Sequence, residues 1–193
     1  MRAVPHGELH GEWLLHDFIT REEEVRLQHV VKGPPAWSHR GINGPYRGKA
    51  WGVVVNLAAR SVSAPRYPLP QEFVALAARM RNCLPLLRSF RPSEANAIAY
   101  TRGVHQLTPH MDDRFLSTEL IVTLSLVGRA RMTFQREASK RGPTHRVVVE
   151  LPPRACQVLS KDARYTYTHA IASEDLLDPE RISITFRQTA LRS

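Results

Sequence analysis

Cysteine is nearly absent from this 193-residue chain: Cys83 and Cys156 are the only two, and neither belongs to a CxxC pattern. That excludes a disulfide scaffold and a zinc ribbon, and predicts two reduced thiols with structural roles. No segment approaches the roughly 20 apolar residues of a membrane helix. The opening stretch MRAVPHGELHGEWLL has no apolar run long enough for a signal peptide. The expectation is a soluble, monomeric protein of the nucleus or cytoplasm, with no membrane association. Repeats and low-complexity tracts are missing. So are a G-x-S-x-G elbow, a G-x-x-x-x-G-K-S/T loop and a G-x-G-x-x-G following a strand, which argues against elbow hydrolases, P-loop enzymes and dinucleotide binders.

Acidic residues are the scarcer charge, 18 Asp and Glu against 27 Lys and Arg, for a net charge of +9. Its placement is uneven: residues 38–102 hold ten Lys and Arg against two acids, a net of +8. Such clustering is a footprint for a polyanion, of which nucleic acid is the commonest inside cells. Solvated surface charge is the equal alternative.

With 42% hydrophobic residues, the chain can bury the core of one domain spanning 1–193. Thr20-Arg21-Glu22-Glu23 has the form of a capping box, so a helix begins there and runs to Gly33-Pro34-Pro35. A second helix is expected over 70–84. The segment 38–52 is glycine-rich, basic and aromatic, and reads as a loop or hairpin feeding a strand at Val53-Val54-Val55. After residue 94 come short strand-like runs at 95–100, 119–127, 130–134, 146–151, 155–160 and 181–187. The fold expected is mostly β with N-terminal helices (α+β): a sandwich, barrel or jelly roll over 95–188, its helices packed on one sheet.

Within the β-rich half, His110 and Asp112 lie two apart in TPHMDD, and His169 follows in YTHAI. On an extended segment His110 and Asp112 share one side, and two histidines with one carboxylate form the facial set that non-haem Fe(II) oxygenases use. Asp113 should face away, as a supporting acceptor or a substrate contact. RISITFR, residues 181–187, alternates Ile182, Ile184 and Phe186 with Arg181, Ser183, Thr185 and Arg187. Two guanidiniums on one strand face either snorkel to solvent or grip a small dianion. Taken with His110, Asp112 and His169, they fit a clamp for a dicarboxylate.

These segments, with NAIAYTRG at 96–103 and ELIVTLSLVG at 119–128, resemble the AlkB family of Fe(II)/2-oxoglutarate dioxygenases. DFITREEE, FRPSEANAIAY and PHMDD are nearest to its homologue 4 branch. The resemblance implies a double-stranded β-helix (jelly-roll) core, with His110, Asp112 and His169 as iron ligands. It implies a 2-oxoglutarate clamp of Arg181 and Tyr100 at the distal carboxylate and Arg187 near the carboxylate beside the keto group. Ile98 stands where many relatives have asparagine, with Asn96 two places earlier on the same strand face, and the 135–146 insertion is shorter than that branch carries. The cofactors implied are Fe(II), 2-oxoglutarate and O2, and the reaction is oxidative N-demethylation. Methylated DNA or RNA, N6-methyladenine among the candidates, is the expected substrate. Residues 1–94 would supply helices and a recognition lid in which Arg40, Tyr46, Arg47, Lys49 and Trp51 meet it; the equal alternative for that segment is a structural loop whose Trp51 caps the core. The alternatives are demethylation of methyl-lysine in a protein, or a nucleic-acid-binding module with a decayed oxygenase site.

Overall fold

The computed structural model describes residues 1–38, 43–138 and 142–189. In chain order it runs β1 (Arg2–Pro5), β2 (Glu12–His16), α1 (Arg21–Lys32), β3 (Arg47–Gly52), β4 (Val54–Asn56), β5 (Ser61–Ser63), α2 (Gln71–Met80) and β6 (Glu94–Thr101). Then follow β7 (Leu107–His110), β8 (Ser117–Val127), β9 (Ala130–Arg136), β10 (His145–Leu151), β11 (Cys156–Leu159), α3 (Lys161–Tyr165), β12 (Thr168–Ile171) and β13 (Glu180–Thr189).

Two antiparallel sheets make the body: one ordered β1-β2-β11-β8-β13-β6-β3, the other β10-β9-β12-β7, while β4 and β5 pair as a separate hairpin. The large sheet is buried on both faces. On one, α1 and α2 set Leu27, Val31, Phe73, Leu76 and Met80 against Ala95, Ala97, Leu124, Ile184 and Phe186. On the other, Tyr100, Ile121 and Leu159 meet Phe134, Val147, Val149 and Ile171 of the small sheet. The alternation in β13 therefore works as its sequence predicts: Ile184 and Phe186 enter the helix-covered core, while Arg181, Ser183, Thr185 and Arg187 face the interior between the sheets.

The capping box at α1 forms in both directions. The Thr20 hydroxyl accepts from the Glu23 backbone N–H at 3.2 Å, and the Glu23 carboxylate accepts from the Thr20 N–H at 2.9 Å. Glu23 also takes a guanidinium hydrogen bond from Arg79 of α2, which holds its carboxyl down to about 2. The expected second helix is shorter than predicted. It stops at Met80, and Pro85 opens a separate 3-10 turn, Pro85–Leu87, as suits a residue without a backbone N–H.

The N-terminal 94 residues are more than helices and a lid. They supply β1 and β2 at one edge of the large sheet and β3 at the other. The strand expected at Val53-Val54-Val55 is displaced: β3 ends at Gly52, and the apolar run passes into the β4–β5 hairpin. Gly52 makes that break possible, since its φ is +85° and a Cβ there would stand 2.1 Å from the Ser93 carbonyl oxygen.

Candidate active site

The residues of interest converge from four strands. His110 ends β7 and His169 lies directly opposite it on β12, so antiparallel pairing alone brings the imidazoles together, with ring centroids 4.4 Å apart. Asp112 lies just beyond the end of β7, its Oδ2 3.6 Å from His169 Nε2. Its Oδ1 accepts from Arg187 Nε at 3.2 Å and from a second Arg187 nitrogen at 2.5 Å. His110 Nδ1 is 2.8 Å from the Thr108 carbonyl oxygen. A carbonyl only accepts, so Nδ1 is the donor in this contact.

Protonation follows from burial and neighbours. Burial pushes His169 down to about 4, so its imidazole is neutral at physiological pH. Burial alone would favour a protonated Asp112, but the Arg187 guanidinium, with His169, outweighs it and holds the carboxyl well below its usual range.

At the other end of the same interior, Arg181 is only 1% exposed and stands opposite Tyr100 in the β13–β6 register. Burial lowers it to about 10, which leaves it a cation. It donates to the Gly128 carbonyl at 3.2 Å and to Ser125 Oγ at 3.0 Å, while its Nε is buried with no partner. Burial pushes the Tyr100 phenol up, so it stays a neutral hydroxyl. A cavity of about 70 Å³ joins the two ends, walled by Ile98, Leu107, Ile121, Met132, Leu159 and Ile171, with Ser183 and Thr185 between the arginines. Two larger clefts, of about 440 and 660 Å³, lie against the N-terminal strands and contain none of these groups.

With this geometry in place, the comparisons with known proteins decide the family. A model described as the 2OG-Fe(II) oxygenase superfamily matches residues 11–187. The chain belongs to that superfamily. It is 28% identical over 206 residues to human alpha-ketoglutarate-dependent dioxygenase alkB homolog 4, across 92% of this chain and 67% of the relative. The mouse protein of the same name is 26% identical with the same coverage. Among solved structures, OsALKBH1 superposes with a TM-score of 0.71 at 17% identity, covering 95% of this chain and 99% of that one, a likeness of fold. The chain is thus an oxidative dioxygenase with the jelly-roll core of its superfamily, whose cofactors are Fe(II), 2-oxoglutarate and O2.

The side chains of this 2OG-Fe(II) oxygenase suit those groups. A buried cation with an unpartnered nitrogen suits a carboxylate. Two imidazoles beside an ionised carboxylate suit a divalent iron. Among the described residues no three His, Cys, Asp or Glu side chains form a ready-made metal cage. Arg187 holds one oxygen of Asp112, and Oδ2 is the oxygen that faces His169.

Several expected substrate contacts have other employment. Lys49 is buried and donates to the Val31 and Gly33 carbonyls, both at 2.6 Å, satisfying the end of α1. Trp51 is a core residue, edge-on to Phe73 at 5.2 Å. Asp113 Oδ2 accepts the backbone N–H groups of Phe115, Leu116 and Ser117, shaping the loop rather than facing a ligand. Lys49 is a correction, since its ammonium already has partners inside the fold; Asp113 takes the supporting-acceptor alternative and Trp51 the core-capping one. Arg47 is half-buried beside Trp37, whereas Tyr46 lines the cavity, 5.9 Å from Tyr100. Arg40 lies outside the described residues. Asn96 is not in the cavity wall and donates to Glu94, so Ile98 alone of that pair borders the interior.

One residue carried no signal in the sequence. Arg164 of α3 is 2% exposed and donates to the carbonyls of Asp112 at 3.1 Å, Asp113 at 2.5 Å and Thr118 at 3.4 Å. It anchors the backbone that carries Asp112. An arginine on a five-residue helix reads as solvated, and only the tertiary fold shows it buried.

Proposed function

We propose that the chain is an Fe(II)/2-oxoglutarate-dependent demethylase of N-methylated nucleic acid. The observation that carries the chemistry is one cavity lined by His110, Asp112 and His169 and by the buried Arg181, whose Nε has no partner. Iron, 2-oxoglutarate and O2 supply the oxidation: the N-methyl carbon is hydroxylated and leaves as formaldehyde, while 2-oxoglutarate becomes succinate and CO2.

In this reading His110 and His169 give the metal nitrogen donors and Asp112 gives the anionic oxygen. Arg187 keeps Asp112 ionised and fixes its rotamer, the supporting role that a guanidinium pairing with a ligand carboxylate plays. Arg181 takes the distal carboxylate of 2-oxoglutarate, with the Tyr100 hydroxyl beside it, and the aliphatic wall keeps water from the reacting end. Support for a nucleic-acid substrate comes from the +9 charge and from the AlkB resemblance, whose members oxidise methylated bases.

Mass spectrometry on reactions with Fe(II), 2-oxoglutarate and ascorbate tests this, using N-methylated oligonucleotides and methyl-lysine peptides side by side. Methyl loss from an oligonucleotide, abolished in Asp112→Ala, is expected. Loss from peptides alone would replace the nucleic-acid reading with the protein one.

A further inference from the structure

Three exposed apolar side chains gather beside the histidine-aspartate motif. Phe115 is 52% exposed, Met111 39% and Tyr165 36%. A single exposed aromatic needs no explanation, but several held beside one site do. Arg114 joins these: one guanidinium nitrogen contacts Met111 Sδ and donates to the Tyr165 carbonyl at 2.8 Å. Arg60, from the turn of the β4–β5 hairpin, lies over the Phe115 ring at 4.3 Å. The patch thus unites the hairpin, the loop after β7 and the end of α3, and it begins one residue from His110.

Its charge is one-sided. The acids flanking it in sequence are already engaged, Asp112 by Arg187, Asp113 by three backbone N–H groups and Asp162 by His10 and Thr166. Among the described residues neither Arg60 nor Arg114 has a carboxylate partner. A cationic methyl-lysine segment would meet two guanidiniums here, whereas a phosphate backbone would be drawn to them. Flat exposed rings beside arginines are what unpaired bases stack on, and a duplex hides those base faces.

We propose that Phe115 and Tyr165, with Arg60 and Arg114, form a docking platform for single-stranded nucleic acid that leads the strand to the active site. This rests on the nucleic-acid reading above and narrows it to unpaired strands. Phe115 and Tyr165 stack bases next to the one being oxidised, and the arginines hold the flanking phosphates. The Arg60–Phe115 contact lets the hairpin and the loop grip one strand together.

The test is fluorescence anisotropy under anaerobic conditions, with the full chain loaded with Fe(II) and 2-oxoglutarate. The probes are labelled single-stranded DNA, single-stranded RNA of the same sequence, and the DNA duplex. Single strands should bind more tightly than duplex, and the DNA and RNA arms show which sugar is preferred. Phe115→Ala and Tyr165→Ala should each weaken single-strand binding by roughly tenfold, within the range of one base–aromatic stack. Arg60→Ala should weaken binding and flatten its salt dependence. Arg131→Ala, exposed on β9, should bind like wild type and controls for general charge. Both aromatic variants binding like wild type, or a preference for duplex, would overturn the platform. If wild type still demethylates oligonucleotides in that case, the nucleic-acid reading stands without it. If only methyl-lysine peptides lose methyl groups, that reading falls too.

Discussion

Arg164 shows how much of this site rests on a single side chain. Its guanidinium is the shared donor for three carbonyls around the Asp112 turn, and deleting it leaves buried acceptors unpaired, at about 1–3 kcal/mol. Arg164→Met should lower stability by about that much and weaken anaerobic Fe(II) binding measured by calorimetry. A stability loss with unchanged metal affinity would confine Arg164 to folding. Glu12 offers a pH test at the same scale. It is 1% exposed, receives a 3.0 Å hydrogen bond from Gln157, and burial raises it from 4.5 to about 7. Across that window the folded protein keeps a proton that the unfolded chain has lost. Stability should therefore fall as pH rises from 4.5 to 7, by about 3 kcal/mol in total. Glu12→Gln should remove this slope from urea melts taken across the window; an unchanged slope would place its origin elsewhere.

Among elements, those most open to sequence reading are the ones with a strict period. β13 alternates so regularly that its arginine face and its core face separate on inspection, and β6, β8, β9, β10 and β11 fall on the apolar runs after residue 94. The edge strands β1 and β3, RAVP and RGKAWG, have no such pattern, because an edge strand is chosen by the neighbour that pairs with it. The same blindness affected the basic segment before residue 53. Its glycines suit a recognition loop and a structural loop with Trp51 in the core equally well, and it is β3 alternation that turns Lys49 and Trp51 inward. Lys49→Ala should consequently cost about 2 kcal/mol by stranding the α1 carbonyls, with 2-oxoglutarate affinity unchanged. Thermal melts and a 2-oxoglutarate titration read the two effects, and a stable variant that has lost nucleic-acid binding would restore the substrate role. That His110, Asp112 and His169 would come together was legible from residue type and order. Arg164 was not, since its partners are backbone carbonyls 46 to 52 positions away.

Across the whole molecule, the two sheets bring the His110, Asp112 and His169 cluster and the buried Arg181 to one narrow interior. The net charge of +9 is less concentrated in function than in sequence, since Arg79 pairs with Glu23 and Lys49 closes a helix, while Arg60 lies over the Phe115 ring. In the proposed function, His110, Asp112 and His169 hold iron while Arg181 holds 2-oxoglutarate against it. The most direct measurement is anaerobic titration of 2-oxoglutarate into the Fe(II)-loaded protein, following the visible charge-transfer absorbance. Wild type should develop the band. Asp112→Ala should not, and Arg181→Met should need on the order of 100-fold more 2-oxoglutarate, the scale for loss of a buried charge-assisted pair. A band of wild-type strength and midpoint in both variants would contradict the assignment of this cavity.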